Sequence, residues 1–225
     1  MKRPAFLLDM DGVVCHNMPA HETAWTSYFK RRGIEIELAE FRANTMGMPT
    51  REVLRYYLKR EVTVEEAEEC ALAKENLYRD LYREHRAPAK GLLDFLKGAR
   101  AGGYKIGLGT GSKGDNVDFI LDGLDLRRWF DAVVDGGMVT KGKPDPQTFL
   151  MLAERLGRPP SECVVFEDSL LGEEAAKRAG MPVVAITTSH RADEFRYASL
   201  KAPDFLPLTP AKAAATIRRA APPKK

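Results

Sequence analysis

Ala5-Phe6-Leu7-Leu8-Asp9-Met10-Asp11-Gly12 is the stretch that decides the fold. Four apolar residues run without a polar break and stop at an acid, which suits a strand buried on both faces rather than a half-solvated, alternating one. Similar short bursts recur at 105–108, 132–134, 163–166 and 182–186. Between them lie helical patterns. Leu92, Leu93, Leu96 and Ala99 form one apolar stripe, closed by Gly102-Gly103. Phe149, Leu152, Ala153 and Leu156 form another, with Asp145 placed to cap it and Gly157 to end it. Strands alternating with helices of this length predict an α/β fold, a parallel sheet with helices on both faces.

Residues 16–87 break that rhythm. Ala24, Trp25, Tyr28 and Phe29 give an apolar face that ends at Gly33, and Val53, Leu54, Tyr57 and Leu58 give a second, entered through Pro49-Thr50. Thr63-Val64-Glu65-Glu66 has the capping-box pattern. It opens a long helix expected to carry Val64, Ala67, Ala71, Tyr78 and Leu81 on one side. The block reads as a small all-α insert placed directly after the first strand. The expected organisation is a core of residues 1–15 and 88–225 with a helical cap of residues 16–87.

The totals narrow the function classes. Of 225 residues, 44% are hydrophobic and 30% charged, the balance of a folded globular chain rather than a disordered one. Lys plus Arg is 35 and Asp plus Glu is 32, a net charge of +3, which lacks the basic excess of a dedicated nucleic-acid binder. The longest charge-free run, residues 179–190, falls short of the roughly 18 apolar residues of a membrane span. Cys15, Cys70 and Cys163 form no CxxC pair and read as reduced thiols. Asp9 interrupts the N-terminus before an export-signal core can form. A cytoplasmic protein is expected, with no membrane, nucleic-acid or obligate protein partner.

In an open parallel sheet, ligands bind beyond the carboxyl ends of the strands. Asp9 and Asp11 follow the first burst, and Thr110, Gly111 and Ser112 follow the second. A loop reaching Lys143-Pro144 follows the third, and Glu167, Asp168 and Ser169 follow the fourth. That set suits phosphoryl transfer through a covalent intermediate. Asp9 is expected to be the nucleophile. Asp11 would protonate the leaving oxygen and later deprotonate the attacking water. Carboxylates facing a phosphate repel it: two like charges 4 Å apart cost about 4 kcal/mol at an effective dielectric near 20. Mg²⁺ held by Asp9 and Asp168, with the Asp11 carbonyl as a third oxygen, would offset this. Lys143, favoured over Lys141 by the Pro144 that follows it, would bridge nucleophile and phosphate. Thr110 would bond a phosphoryl oxygen.

Residues 6–12, Leu108-Gly109-Thr110-Gly111-Ser112-Lys113, Lys143-Pro144-Asp145-Pro146 and Phe166-Glu167-Asp168-Ser169 resemble the four ordered motifs of the haloacid dehalogenase (HAD) superfamily. The likeness runs from about residue 4 to 190, and the insert resembles the small cap of the phosphatase and β-phosphoglucomutase branch. The resemblance implies a Rossmann-like core, Mg²⁺ dependence and an aspartyl-phosphate intermediate. The acid at Asp11 sets that branch apart from the dehalogenases. The resemblance also implies that Ser112 and Lys113 contact phosphate, that Glu167 belongs to an acidic pair with Asp168, and that His21 and Trp25 lie near the site. Gly47-Met48-Pro49-Thr50-Arg51 resembles the Gly-x-Ser-Arg specificity loop of β-phosphoglucomutases, with one extra residue and Thr before Arg. Lys74 falls where that branch places a phosphate-binding lysine.

Simpler readings stand beside these. Asp-x-Asp-Gly alone also occurs in turns and calcium loops, but the further acids of an EF-hand are missing. Gly107-Leu108-Gly109-Thr110-Gly111 is not the dinucleotide fingerprint. His21 can serve packing, Arg51 can be solvated, Trp25 can be cap core, and Lys74 can run its stem along the apolar face to reach water. The expected function is a phosphatase acting on a small phosphorylated metabolite, a sugar phosphate foremost. The alternatives are a β-phosphoglucomutase-type phosphomutase and a silent phosphometabolite-binding protein.

Overall fold

The computed structural model describes residues 3–45 and 48–220, with the side chains of 218–220 left aside. Gly47 of the specificity-loop resemblance lies outside the described residues. In chain order the elements are β1 (Ala5–Leu8), α1 (Met18–Lys30), α2 (Leu38–Asn44), α3 (Thr50–Leu58), α4 (Val64–Tyr82), α5 (Leu92–Ala101) and β2 (Lys105–Gly109). They continue with α6 (Gly114–Leu121), β3 (Ala132–Val134), α7 (Gln147–Arg155), β4 (Cys163–Glu167), α8 (Leu170–Arg178), β5 (Val183–Ile186), β6 (Ala198–Ala202) and α9 (Pro210–Ala220). The chain parts into two compact units, Met1–His16 with Arg86–Lys225, and Asn17–His85.

The larger unit is a Rossmann-like α/β core. Its sheet is parallel and ordered β3-β2-β1-β4-β5-β6, with β1 between β2 and β4. Every residue of β1 is fully buried, as an unbroken apolar strand between two helical layers must be. Side chains alternate across the sheet. Ala5, Leu7, Cys163 and Val165 face one way and pack with Phe149, Leu152 and Ala153 of α7 and Ala175 and Ala176 of α8. Phe6 faces the other way and meets Phe95 of α5 and Tyr104, and Phe95 in turn meets Phe166 and Phe205.

Two sequence expectations need correction here, and one strand was missed. Leu93 is exposed, and Phe95 joins Leu92, Leu96 and Ala99 on the buried face of α5. α7 starts with Pro146 at the cap position; Asp145 sits one residue earlier, and its Oδ1 accepts from Gln147 N at 3.0 Å. The strand at 198–202 was not anticipated, because it lies at the sheet edge, is half-exposed and lacks an apolar run. The chain after Thr209 forms α9, which buries Ala213 and Thr216.

The smaller unit is all helical among its described residues. Trp25, Tyr28 and Phe29 of α1, Phe41 of α2, Val53 and Leu54 of α3, and Ala67 and Cys70 of α4 share one apolar cluster. Trp25 is therefore core of this unit. The Thr63–Glu66 capping box is formed in both directions. The expected face of α4 is wrong at three places. Val64 and Leu81 are exposed and Ala71 is only half-buried. The buried line is Ala67, Cys70, Lys74, Tyr78 and Tyr82, a three-then-four spacing that the sparse apolar residues of this helix did not reveal. α2 was also missed, since one buried residue, Phe41, gives no stripe. A bidentate pair, Arg42 Nε and Nη2 on Glu22 at 2.6 and 2.7 Å, ties it to α1.

Leu152 is fully buried between α7 and the sheet. Leu152→Ala is expected to cost about 2–5 kcal/mol of unfolding free energy, read as a lowered urea midpoint at unchanged slope.

Candidate active site

The ladder sets the acids level. Leu8 pairs with Phe166 on one side and with Leu108 on the other. The next residues, Asp9, Glu167 and Gly109, therefore leave neighbouring strands at one height, followed by Asp168 and Thr110. Among the described residues, Asp9, Glu167 and Asp168 each bring a carboxylate oxygen within 4.8 Å of the others, and all three are buried.

Lys143 enters this cluster from the loop between β3 and α7. Its Nζ donates to Asp9 Oδ1 at 2.5 Å and to Glu167 Oε1, and lies 4.9 Å from the Phe149 ring centroid. The other Glu167 oxygen accepts from Asp168 N, Ser169 N and Ser169 Oγ at 2.9–3.0 Å. Both oxygens of Glu167 are thus committed to protein donors. Ser169 Oγ accepts from Gly172 N and caps α8, so the same turn that holds Glu167 starts the helix. Asp168 Oδ2 accepts from Ser189 Oγ; Thr188 Oγ1 donates to Gly12 O at 2.7 Å and lies 3.4 Å from the same Asp168 oxygen. Gly12 has φ +80°, and a Cβ there would overlap the Asp168 carboxylate, so only glycine allows this approach.

Asp11 stands apart from the three-acid cluster. Its Oδ2 accepts from Ser112 Oγ at 2.6 Å. Thr110 is buried, and its Oγ1 accepts from Ser112 N at 3.0 Å, which shapes the turn after β2. Gly136 backs that turn: its N–H donates to Ser112 O at 2.9 Å, and a Cβ there would overlap the Gly111 carbonyl. Lys113 is exposed at the start of α6.

Seven of the expected residues are thus brought together: Asp9, Asp11, Thr110, Ser112, Lys143, Glu167 and Asp168. Three lie in the helical unit. There the buried Lys74 Nζ donates to Glu75 Oε1 at 2.5 Å and lies 3.1 Å from His21 Nδ1. An ammonium offers donors only, so that ring nitrogen accepts. His21 stacks on Tyr78 at 3.7 Å, and Lys74 lies 5.3 Å from the Trp25 ring centroid. The simpler reading of Lys74, a stem run out to water, gives way to a buried side chain paired with Glu75. Arg51 is not in that cluster; its Nε donates to Val62 O at 2.7 Å. Thr188 and Ser189 were missed. They follow the fifth apolar burst, so asking what comes after every strand, not only the first four, would have found them.

The electrostatics are lopsided. Burial holds the Asp9 carboxyl well above its usual range; Lys143 opposes the shift, and Glu167, Asp11 and Asp168 add to it. Asp168 is raised by burial and by Glu167, against Ser189 and Lys143. Burial alone would lower Lys143, but Asp9 and Glu167 outweigh it and hold its pKa above the usual value. Three buried carboxylates around one ammonium leave a negative excess that suits a cation. Asp9 and Asp168 are the members whose oxygens are not filled in the way Glu167's are. Buried hard oxygens of this kind fit Mg²⁺.

A doubly wound core with a helical insert and an aspartate-based site defines an enzyme of the hydrolase and phosphomutase architecture. Residues 4–180 match the haloacid dehalogenase-like hydrolase family, and the chain belongs to it. It is 34% identical over 182 residues to the fructose-1-phosphate phosphatase YqaB of Escherichia coli, covering 80% of this chain and 94% of that one. It is 33% identical over 181 residues to the phosphorylated carbohydrates phosphatase of Thermotoga maritima, covering 79% and 82%. The crystal structure of β-phosphoglucomutase from Clostridium difficile matches with TM-score 0.85 and 26% identity over 96% of this chain and 98% of that one. No helix among the described residues is long and apolar enough to cross a membrane.

Asp168 is raised in the folded state, so with metal stripped its ionised form works against folding. That loss is absent below the ordinary carboxylate value of 3.8 and grows as pH rises through the folded value. Asp168→Asn is expected to raise the melting temperature of EDTA-treated protein at pH 8. The expected gain is about 2–4 °C, the shift that about 1 kcal/mol makes in a chain of this size. At pH 4 the difference should vanish. Differential scanning calorimetry at both pH values checks this.

Proposed function

We propose that this enzyme is a Mg²⁺-dependent phosphatase of small phosphorylated metabolites, sugar phosphates foremost, working through an aspartyl-phosphate on Asp9. The observation that carries the reading is the Lys143 ammonium held 2.5 Å from Asp9 Oδ1 inside a buried cluster of three acids. Asp9 and Asp168 would hold the metal, with the Asp11 carbonyl. The cation would neutralise the acids and draw charge from the phosphoryl oxygens.

Lys143 opposes the burial and the neighbouring acids that push the Asp9 carboxyl up, and with the cation bound Asp9 would be fully ionised, the nucleophilic carboxylate. An Asp9 oxygen attacks phosphorus, the bond from phosphorus to the ester oxygen breaks, and Asp11 gives that oxygen its proton. Asp11, then ionised, takes a proton from water, whose oxygen attacks phosphorus and frees Asp9 and inorganic phosphate. The Ser112 hydroxyl fixes the Asp11 carboxyl for both transfers. Thr110, Ser112 and Lys113 serve the phosphoryl group. His21, Arg51 and Lys74 are assigned to the remainder of the substrate. Lys74 supports this, since an ammonium is a poor filler for the interior of a helical unit and suits an anion.

The two phosphatase relatives favour a phosphorylated carbohydrate. The structural likeness to β-phosphoglucomutase supports a second reading, in which the phosphoryl group returns to a sugar hydroxyl instead of water. Purified protein with Mg²⁺ is tested against phosphorylated sugars, nucleotides, glycolate phosphate and pyrophosphate, and against β-glucose 1-phosphate with a bisphosphate primer. Release of phosphate without glucose 6-phosphate removes the mutase reading. Asp9→Asn should reduce turnover to background, because an amide is no nucleophile. Asp11→Asn should lose turnover yet keep the rise in melting temperature that Mg²⁺ gives the wild type. An active Asp9→Asn protein overturns the chemistry.

A further inference from the structure

Lys143 stands on neither a strand nor a helix. Its loop is fastened by a residue outside the acid cluster. Gln147 opens α7, and its Oε1 accepts from Thr140 N at 3.0 Å, Lys141 N at 2.9 Å and Thr140 Oγ1 at 3.2 Å. Backbone N–H groups only donate, so the amide oxygen, not its nitrogen, must face them. These bonds reach six and seven residues upstream, not into the helix itself, so they do not cap α7. Two further bonds close the loop: Asp145 Oδ1 accepts from Gln147 N, and Asp145 N donates to Gly142 O at 3.0 Å. Residues 140–147 thus form a closed ring anchored on the first turn of α7. That helix is seated on the sheet by Phe149, Leu152 and Ala153.

We propose that Gln147 is a positioning residue for Lys143: its side-chain oxygen ties the loop that delivers the ammonium to Asp9 onto the rigid start of α7. The inference rests on the reading of Lys143 as part of the phosphoryl-transfer machinery. Exposure separates this role from a plain contribution to stability. Thr140 and Lys141 are exposed. Without Gln147 their amides find water at little cost. Removing the oxygen therefore frees the loop more than it weakens the fold. Placement matters more, since a shift near 1 Å can cost roughly 100-fold in rate.

The test uses the full chain with Mg²⁺ and p-nitrophenyl phosphate as the probe. Gln147→Leu should lower kcat by roughly 10- to 100-fold, with KM and melting temperature at wild-type values. It should also speed amide hydrogen exchange at Thr140 and Lys141. Gln147→Glu keeps an acceptor oxygen in place and adds a charge that a helix N-terminus tolerates. It should restore both kcat and amide protection. Lys143→Met separates the two levels of the argument. If that variant turns over normally, the reading of Lys143 itself fails. If it is inactive while Gln147→Leu has wild-type kcat, the role of Gln147 fails alone. A Gln147→Glu protein as impaired as Gln147→Leu overturns the proposal, because the acceptor oxygen is then not what matters. A fall in melting temperature that tracks the lost activity also overturns it.

Discussion

Three buried carboxylates crowd one ammonium at the carboxyl ends of the central strands, with Asp11 beside them, and the arrangement of the site follows from holding them there. Buried like charges a few ångströms apart repel by several kcal/mol even with generous screening. Each acid is accordingly given its own restraint. Glu167 is bound by the Asp168 and Ser169 amides and the Ser169 hydroxyl. Asp168 is bound by Ser189, Asp11 by Ser112, and Asp9 by Lys143. This crowding, which pushes Asp9 and Asp168 toward their neutral forms, is a cost that a plain core would not carry. It persists because the sheet beneath it is packed on both faces and leaves the acids nowhere to relax.

The sheet supplies this placement through register. β1 lies between β2 and β4 and pairs in parallel with both, so the residues that leave the three strands are fixed in height. A slip of one residue would turn every β1 side chain to the opposite face and move Asp9 off the level of Glu167. The apolar identity of Phe6 and Leu7, which pack on opposite helical layers, is therefore also what locates the nucleophile. Core packing and chemistry are joined at this strand, and a change that loosens one moves the other.

What the sequence revealed divides along physical lines. Five strands were legible because buried parallel strands are unbroken apolar runs, and the acids were legible because they stand where those runs end. The edge strand at 198–202 was not, since a half-exposed edge needs no such run. The buried face of α4 was misread because Tyr82 and Cys70 carry it while the apolar Val64 and Leu81 sit at exposed positions near the helix ends. Links between a side chain and a distant backbone left no signal at all. Glu173 is buried and accepts from the amides of Arg196, Tyr197 and Ala198, fastening the start of β6 to α8. Nothing in the spacing of Glu173 and Arg196 announces that clasp, because hydrogen bonds across more than 20 residues have no period.

The acids and the lysine are held by different means, and the difference is instructive. Asp9, Glu167 and Asp168 have short side chains attached at strand ends, so the ladder fixes their carboxylates with few torsions left over. Lys143 has four methylene groups and hangs from a loop, so the ladder cannot place its charge. Its position must come from contacts made at the loop and along the stem, among them the Phe149 ring beside the ammonium. A long cation suits this duty because it reaches the cluster from outside the sheet without displacing the strand-borne acids. The entropy of ordering such a side chain is among the largest of any residue. Burial between two carboxylates offsets that entropy, so the acids that make the cluster costly also hold the lysine in place.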